Sequence, residues 1–139
     1  MIMKNIGRIL IVTVISLLFT SCYDREVIDS KGIPHPLPKV ENLEYSIQGT
    51  TVKLTWQIPD NIPAEFIRPL EISIQKVEND IYTDKITIVD EGTSAENIAI
   101  KADKKYRFIV RLAGSLNDEA KQPGISSKIY SEGQVIEIQ

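Results

Sequence analysis

The sequence predicts an all-β fold, a seven-stranded sandwich over residues 40–139. Three observations carry this expectation. From Val40 onward, apolar and polar residues alternate with a period of two, the pattern of a strand with one buried and one wet face. The alternating runs are short and are separated by turn chemistry at Gln48-Gly49, Asn79-Asp80, Glu91-Gly92 and Pro123-Gly124. No stretch after Cys22 sustains the i, i+3, i+4 spacing of an amphipathic helix.

The expected strands follow in order. "ENLEYSI" is the first. "TVKLTWQ" sets Val52, Leu54 and Trp56 on one face and Lys53, Thr55 and Gln57 on the other. "LEISIQ" groups Leu70, Ile72 and Ile74; "KITIV" groups Ile86 and Ile88; "NIAI" groups Ile98 and Ile100. "YRFIVRLA" turns Tyr106, Phe108, Val110 and Leu112 inward and Arg107 and Arg111 outward, and "QVIEIQ" closes the chain with Ile136 and Ile138. Two connections are long: Ile58 to Pro69, which carries Phe66 and Ile67 outside any alternating run, and Gly114 to Ser127. Loops on a rigid sandwich are frequent binding sites, so Phe66 and Ile67 are the candidate partner-binding residues, the rival expectation being that they cover the open end of the core. Trp56 and Tyr106 are expected to be core residues, Tyr106 as a tyrosine corner.

This order resembles a fibronectin type III domain, a variety of immunoglobulin-like sandwich. The family has a proline before its first strand, a Trp ending the second, a proline-rich loop after it and a Tyr opening the sixth. Pro38, Trp56, "IPDNIPAEFIRP" and "KKYRFIV" stand in those places, and "PGISSKIYSEG" resembles the connection into the last strand. The resemblance spans about residues 38–139 and implies a fold, not an activity.

The first residues are of a different kind. Lys4 and Arg8 precede an apolar run, Ile9 to Phe19, whose 11 residues are too few for a bilayer span, which takes about 20. Basic flank, apolar run and small residues in that order make a secretory signal peptide over residues 1–21. The only cysteine follows at once, in "FTSC", which resembles the bacterial lipobox. That resemblance implies cleavage before Cys22 and acyl chains on its thiol and new amino group, each buried CH₂ contributing about 0.8 kcal/mol to anchoring. Asp24, Glu26 and Asp29 after the cysteine resemble the surface-export signal of Bacteroidota lipoproteins, interrupted here by Arg25. Residues 22–39 then read as a linker with prolines at 34, 36 and 38, extended and semi-rigid, in which His35 is expected to be solvated. From "SCYDREVIDSKG" through "VKLTWQIP", "RPLEISIQ" and "KKYRFIVRL" to "YSEGQVIEIQ", the chain also resembles a family of small uncharacterised lipoproteins of Bacteroides and its relatives.

Several classes of function are disfavoured. The formal charge is -3, and removal of Lys4 and Arg8 with the signal leaves 14 cations against 19 acids, or -5, so no nucleic-acid partner is expected. One cysteine and one histidine are too few for a disulfide framework or for the common zinc motifs. The chain has no Gly-rich phosphate loop, no GxSxG and no HExxH, and its single histidine lies in the linker. Asp90, Glu91, Asn117 and Asp118 offer loop oxygens but match no EF-hand spacing, so neither metal nor cofactor is expected.

The expected function is that of a non-enzymatic binding or accessory module for an envelope protein or a glycan, held to the outer membrane by lipid on Cys22 and displayed on the surface. The alternatives are an accessory subunit of a polysaccharide-uptake system and a pilin-like subunit that donates its last strand, "GQVIEIQ". If Cys22 is the lipidated N-terminus, mass spectrometry of membrane-extracted protein will find acyl chains on it and no residue before it. A Cys22→Ala protein that is still cleaved normally and stays in the membrane fraction contradicts the assignment.

Overall fold

The computed structural model describes residues 35–139. They form two antiparallel sheets of eight strands: β1 (Glu41–Gln48), β2 (Thr51–Gln57), β3 (Phe66–Glu78), β4 (Ile81–Ile88), β5 (Ser94–Ala99), β6 (Tyr106–Leu116), β7 (Lys128–Tyr130) and β8 (Gln134–Ile138). One sheet has the order β1-β2-β5. The other has the order β4-β3-β6-β7, with β8 also paired to β6. The described chain contains no helix, and the architecture is that of a β-sandwich.

The alternation read from the sequence places the core. Val52, Leu54 and Trp56 of β2 face Leu70, Ile72 and Ile74 of β3 and Phe108, Val110 and Leu112 of β6, all buried. Full burial of such a side chain contributes about 1.5–3 kcal/mol, so these rows dominate the stability of the domain. Trp56 also has a polar end, and its indole N–H donates to the Gly92 carbonyl at 3.0 Å. Tyr106 is 3% exposed, and its hydroxyl accepts the Lys101 N–H at 2.8 Å. That bond closes a tyrosine corner and ties the start of β6 to the loop before it.

Turns follow local chemistry. β3 and β4 are joined by Asn79 and Asp80 alone, both at positive φ (48° and 65°), as a two-residue primed hairpin requires. Asn79 also accepts the Lys105 N–H through its side chain, which pins this hairpin beside the start of β6.

Three expectations about the strands need correction. There are eight strands instead of seven, because Lys128–Tyr130, expected in the connection to the last strand, pairs with β6 as β7. At the break, the Ser131 hydroxyl accepts the Leu112 N–H at 2.9 Å while the Ser131 N–H donates to the Leu112 carbonyl, so a side chain replaces one ladder acceptor between β7 and β8. β3 begins at Phe66 and not Leu70. The Ile67↔Ser115 and Glu71↔Ala113 pairs leave two surplus residues on β3, which swell out as a bulge around a cis Arg68–Pro69 bond. β4 begins at Ile81 and not Lys85, as a direct continuation of the hairpin. The core also draws on a residue ahead of Val40. Leu37, between Pro36 and Pro38, is 6% exposed and belongs to the core together with Val40.

Register fixes the two ends of the sandwich. Glu41 pairs with Gln57, so β1 starts where β2 finishes, and Phe66 pairs with Leu116 at that same end. The chain from residue 35 therefore enters at the pole that holds the 58–65, 89–93 and 117–127 connections. Ile138 pairs with Tyr106 at the opposite pole, where the C-terminus leaves.

Candidate functional site

The pole where the chain enters is built on the bulge of β3. With Arg68 and Pro69 out of the ladder, the Leu70 N–H needs another acceptor. Glu91, from the turn between β4 and β5, supplies it: its Oε1 accepts the Leu70 N–H at 3.0 Å and its own N–H donates to the Leu70 carbonyl at 3.0 Å. The same carboxylate takes both arms of the Arg68 guanidinium, the bidentate geometry that adds orientation as well as energy. The Arg68 fork, more than the Leu70 N–H, holds the Glu91 carboxyl below its ordinary range, and Glu91 in turn raises the Arg68 guanidinium. Asp90 and Glu91 both sit at positive φ (57° and 54°), a conformation these bonds help to hold. Beneath the turn, Trp56 donates its backbone N–H to the Thr93 carbonyl at 3.1 Å as well as its indole N–H to Gly92.

A second set of contacts closes the rim. His35 Nδ1 lies 3.1 Å from Glu65 Oε1, and the Glu65 carbonyl accepts the Asn117 N–H at 2.8 Å. Three remote segments are thus clipped together: the entry at residue 35, the end of the 58–65 connection and the start of the 117–127 connection. The His35 hydrogen bond is the main reason the Glu65 carboxyl is lowered. His35 is only 18% exposed, against the expectation of a solvated linker side chain, and its Nε2 is buried with no partner among the described residues.

The two predicted site residues part company here. They are neighbours on one strand, so their side chains leave opposite faces. Phe66 is 4% exposed, and its ring fills the space over Gly114, where an added Cβ would lie 2.7 Å from Phe66 Cδ1. Ile67 is 51% exposed. Only Ile67 can meet a partner without unpacking the core. Two exposed apolar residues share its pole, Val89 at 58% and Ile125 at 41%. Val89 ends the "KITIV" run on the face opposite Ile86 and Ile88, and Ile125 lies in no alternating run, so the pattern singles out neither as a partner residue.

The remaining candidates are accounted for by local contacts. Asp118 is paired with Lys121, and the Asn117 side-chain oxygen accepts the Ala120 N–H. Among the described residues no group of three or more His, Cys, Asp or Glu is arranged to hold a metal. Cys22 lies outside the described residues. At the opposite pole, two open depressions of about 210 and 230 Å³ flank Tyr106 and Ile138, without a nucleophile and base set together.

Residues 22–138 match the family described as "Domain of unknown function (DUF4945)". That match covers most of the chain, and the protein belongs to this family. No curated protein matches it.

Glu91 links stability to pH in a definite direction. Its folded-state pKa lies below the ordinary 4.5, so its contribution is complete above that value and is lost as pH falls through the folded value. Glu91→Ala is expected to cost about 1–3 kcal/mol at neutral pH, because the Leu70 N–H loses its acceptor. Melting temperatures of wild type and Glu91→Gln should differ near neutrality and converge in acid. A gap that is the same at about pH 7 and about pH 3 contradicts the role given to Glu91.

Proposed function

We propose that this protein is a non-enzymatic binding module of the bacterial cell envelope, carried on a lipid-modified Cys22 and using its entry pole to engage an envelope partner. The reading takes the domain as fibronectin type III-like. Supporting that are the β1-β2-β5 and β4-β3-β6-β7 strand orders, the buried Trp56 on the second strand and the tyrosine corner at Tyr106. The lipid anchor, the outer-membrane location and display on the surface rest on the order of residues around "FTSC" and on the acids that follow it.

One observation carries the choice of surface. Three separate segments each present an exposed apolar side chain at the entry pole, Ile67, Val89 and Ile125, on a frame held by the Arg68–Glu91 fork and the Glu65 clip. The opposite pole also exposes Ile47, Ile81 and Tyr82, so the entry pole is preferred for its braced frame and for its place beside the entering chain. The chain enters at that pole. Cys22 and His35 are 13 residues apart, and a fully extended chain covers at most about 3.6 Å per residue. The pole is then tethered within about 45 Å of the bilayer, in reach of a membrane-embedded partner.

Such a partner could belong to a polysaccharide-uptake system, and genes for a porin-type transporter and glycosidases beside this one would favour that version. The pilin-like version gains less support, since β8 is already engaged by β6 over five register pairs from Gln134 to Ile138. The pole is tested by replacing Ile67, Val89 and Ile125 together with Ser. Surface changes of this kind usually alter stability by less than about 0.5 kcal/mol, so the melting temperature should hold. Recovery of a co-purifying partner from detergent-solubilised envelopes should fall to background. Undiminished recovery with the folded triple variant removes the pole from consideration.

A further inference from the structure

The outer face of the five-stranded sheet carries a feature that the entry pole does not use. The chain is acidic overall, yet two lysines from different strands lie against one aromatic ring here, and an arginine of a third strand stands on the same face. Tyr130 of β7 pairs with Ala113, whose neighbour Leu112 points into the core, so Tyr130 stands on the solvent side. It is 42% exposed. The Lys128 ammonium lies 5.9 Å from the ring centroid, and the Lys85 ammonium, from β4 at the far edge of the sheet, lies 5.8 Å from it. Arg111 of β6 stands on the same face, in register with Ser73 of β3. Ser73 is only 5% exposed although it faces outward, so this part of the face is covered by its neighbours' side chains.

These charges are only partly balanced locally. Lys128 is paired with Glu71, and that hydrogen bond raises the Lys128 ammonium above its ordinary range. Lys85 and Arg111 have no acidic partner among the described residues. Arg111 is also held in place. Its Nε is buried without an acceptor among the described residues, and an added Cβ on Gly133 would lie 3.2 Å from that atom, so the segment between β7 and β8 passes close to the guanidinium stem. Arg111, Lys85, the Glu71-paired Lys128 and a half-exposed ring share one sheet face, where the cations outnumber the acid.

We propose that this face binds an anionic polysaccharide, with Tyr130 as the platform for a sugar ring and Lys85, Lys128 and Arg111 as the partners of its carboxylate or sulfate groups. The chemistry selects this occupant. A flat aromatic ring stacks on the C–H face of a sugar, and the adjacent cations pair with the negative groups that an acidic sugar carries. The cations lie on strands at both sides of the face and surround no enclosed cavity, which suits a chain laid across the strands better than a small free anion. Because β4 and β7 approach each other only through the intervening β3 and β6, the site exists only in the folded sheet.

Affinity electrophoresis of the folded domain through gels containing polygalacturonate, dextran sulfate, poly-glutamate or neutral pullulan tests the proposal. Retardation is expected from polygalacturonate, from dextran sulfate or from both, and which of them works identifies the negative group. Salt should weaken it, since the charges are exposed. Tyr130→Ala and Lys85→Ala should each weaken binding about tenfold, the loss expected of one good contact, while Tyr130→Phe keeps the platform. Unchanged melting temperatures for Lys85→Ala will separate lost contact from lost fold. No retardation by either acidic polysaccharide overturns the proposal. Equal retardation by pullulan or poly-glutamate, or full binding by Tyr130→Ala, overturns it as well.

Discussion

The pairing of β3 with β6 is the constraint on which the rest of the domain depends. Ten register pairs run from Phe66↔Leu116 at the entry pole to Glu78↔Tyr106 at the other. Every other strand of the larger sheet hangs on this pair: β4 on β3, and β7 and β8 on β6. The inward residues of the pair, Leu70, Ile72 and Ile74 with Phe108, Val110 and Leu112, form one wall of the core against β2. The outward residues, Glu71, Ser73 and Arg111 among them, form the floor of the charged face. One ladder therefore sets the core, both poles and the surface.

The bulge in that ladder shows how a local fault becomes a structural device. Two residues of β3 have no place opposite β6, and the gap frees the Leu70 N–H. Glu91 fills it and is itself held by Arg68, while Trp56 supports the same turn from the core side. A buried or half-buried donor without an acceptor is costly, so the turn must stay docked for the bulge to persist. A pole assembled this way offers Ile67 and Val89 from positions that do not depend on a partner to form. Such preorganisation lowers the ordering cost of binding.

Most of the fold was legible in the sequence because period two is a direct consequence of strand geometry, and β2, β6 and β8 carry it cleanly. The exceptions have specific causes. Phe66 looked like a loop residue because Arg68-Pro69 interrupts the alternation between it and Leu70, although both inward positions differ by even numbers from Ile72. β7 is three residues long, too short for a pattern, and its separation from β8 comes from a single serine hydroxyl. Leu37 was masked by the prolines on either side, which suggested solvent and in fact hold the backbone extended where the leucine enters the core. The surfaces were less legible still. Ile67 could be named from its apolar character in a polar neighbourhood, but Val89 and Ile125 could not. Lys85, Arg111 and Lys128 are far apart in the chain and meet only through antiparallel register.

Native-state hydrogen exchange on the protein tests the dependence on the β3–β6 ladder most directly. Amides in the centre of that ladder, those of Ile74 and Val110 above all, should exchange only through global unfolding, while those of the β1 and β5 edges exchange through smaller openings. The bulge should behave as an outlying part of the same unit, with the Leu70 amide protected for as long as Glu91 is ionised. Protection at Ile74 and Val110 no greater than at the edge strands would contradict the claim that this one ladder holds the domain and its surfaces together.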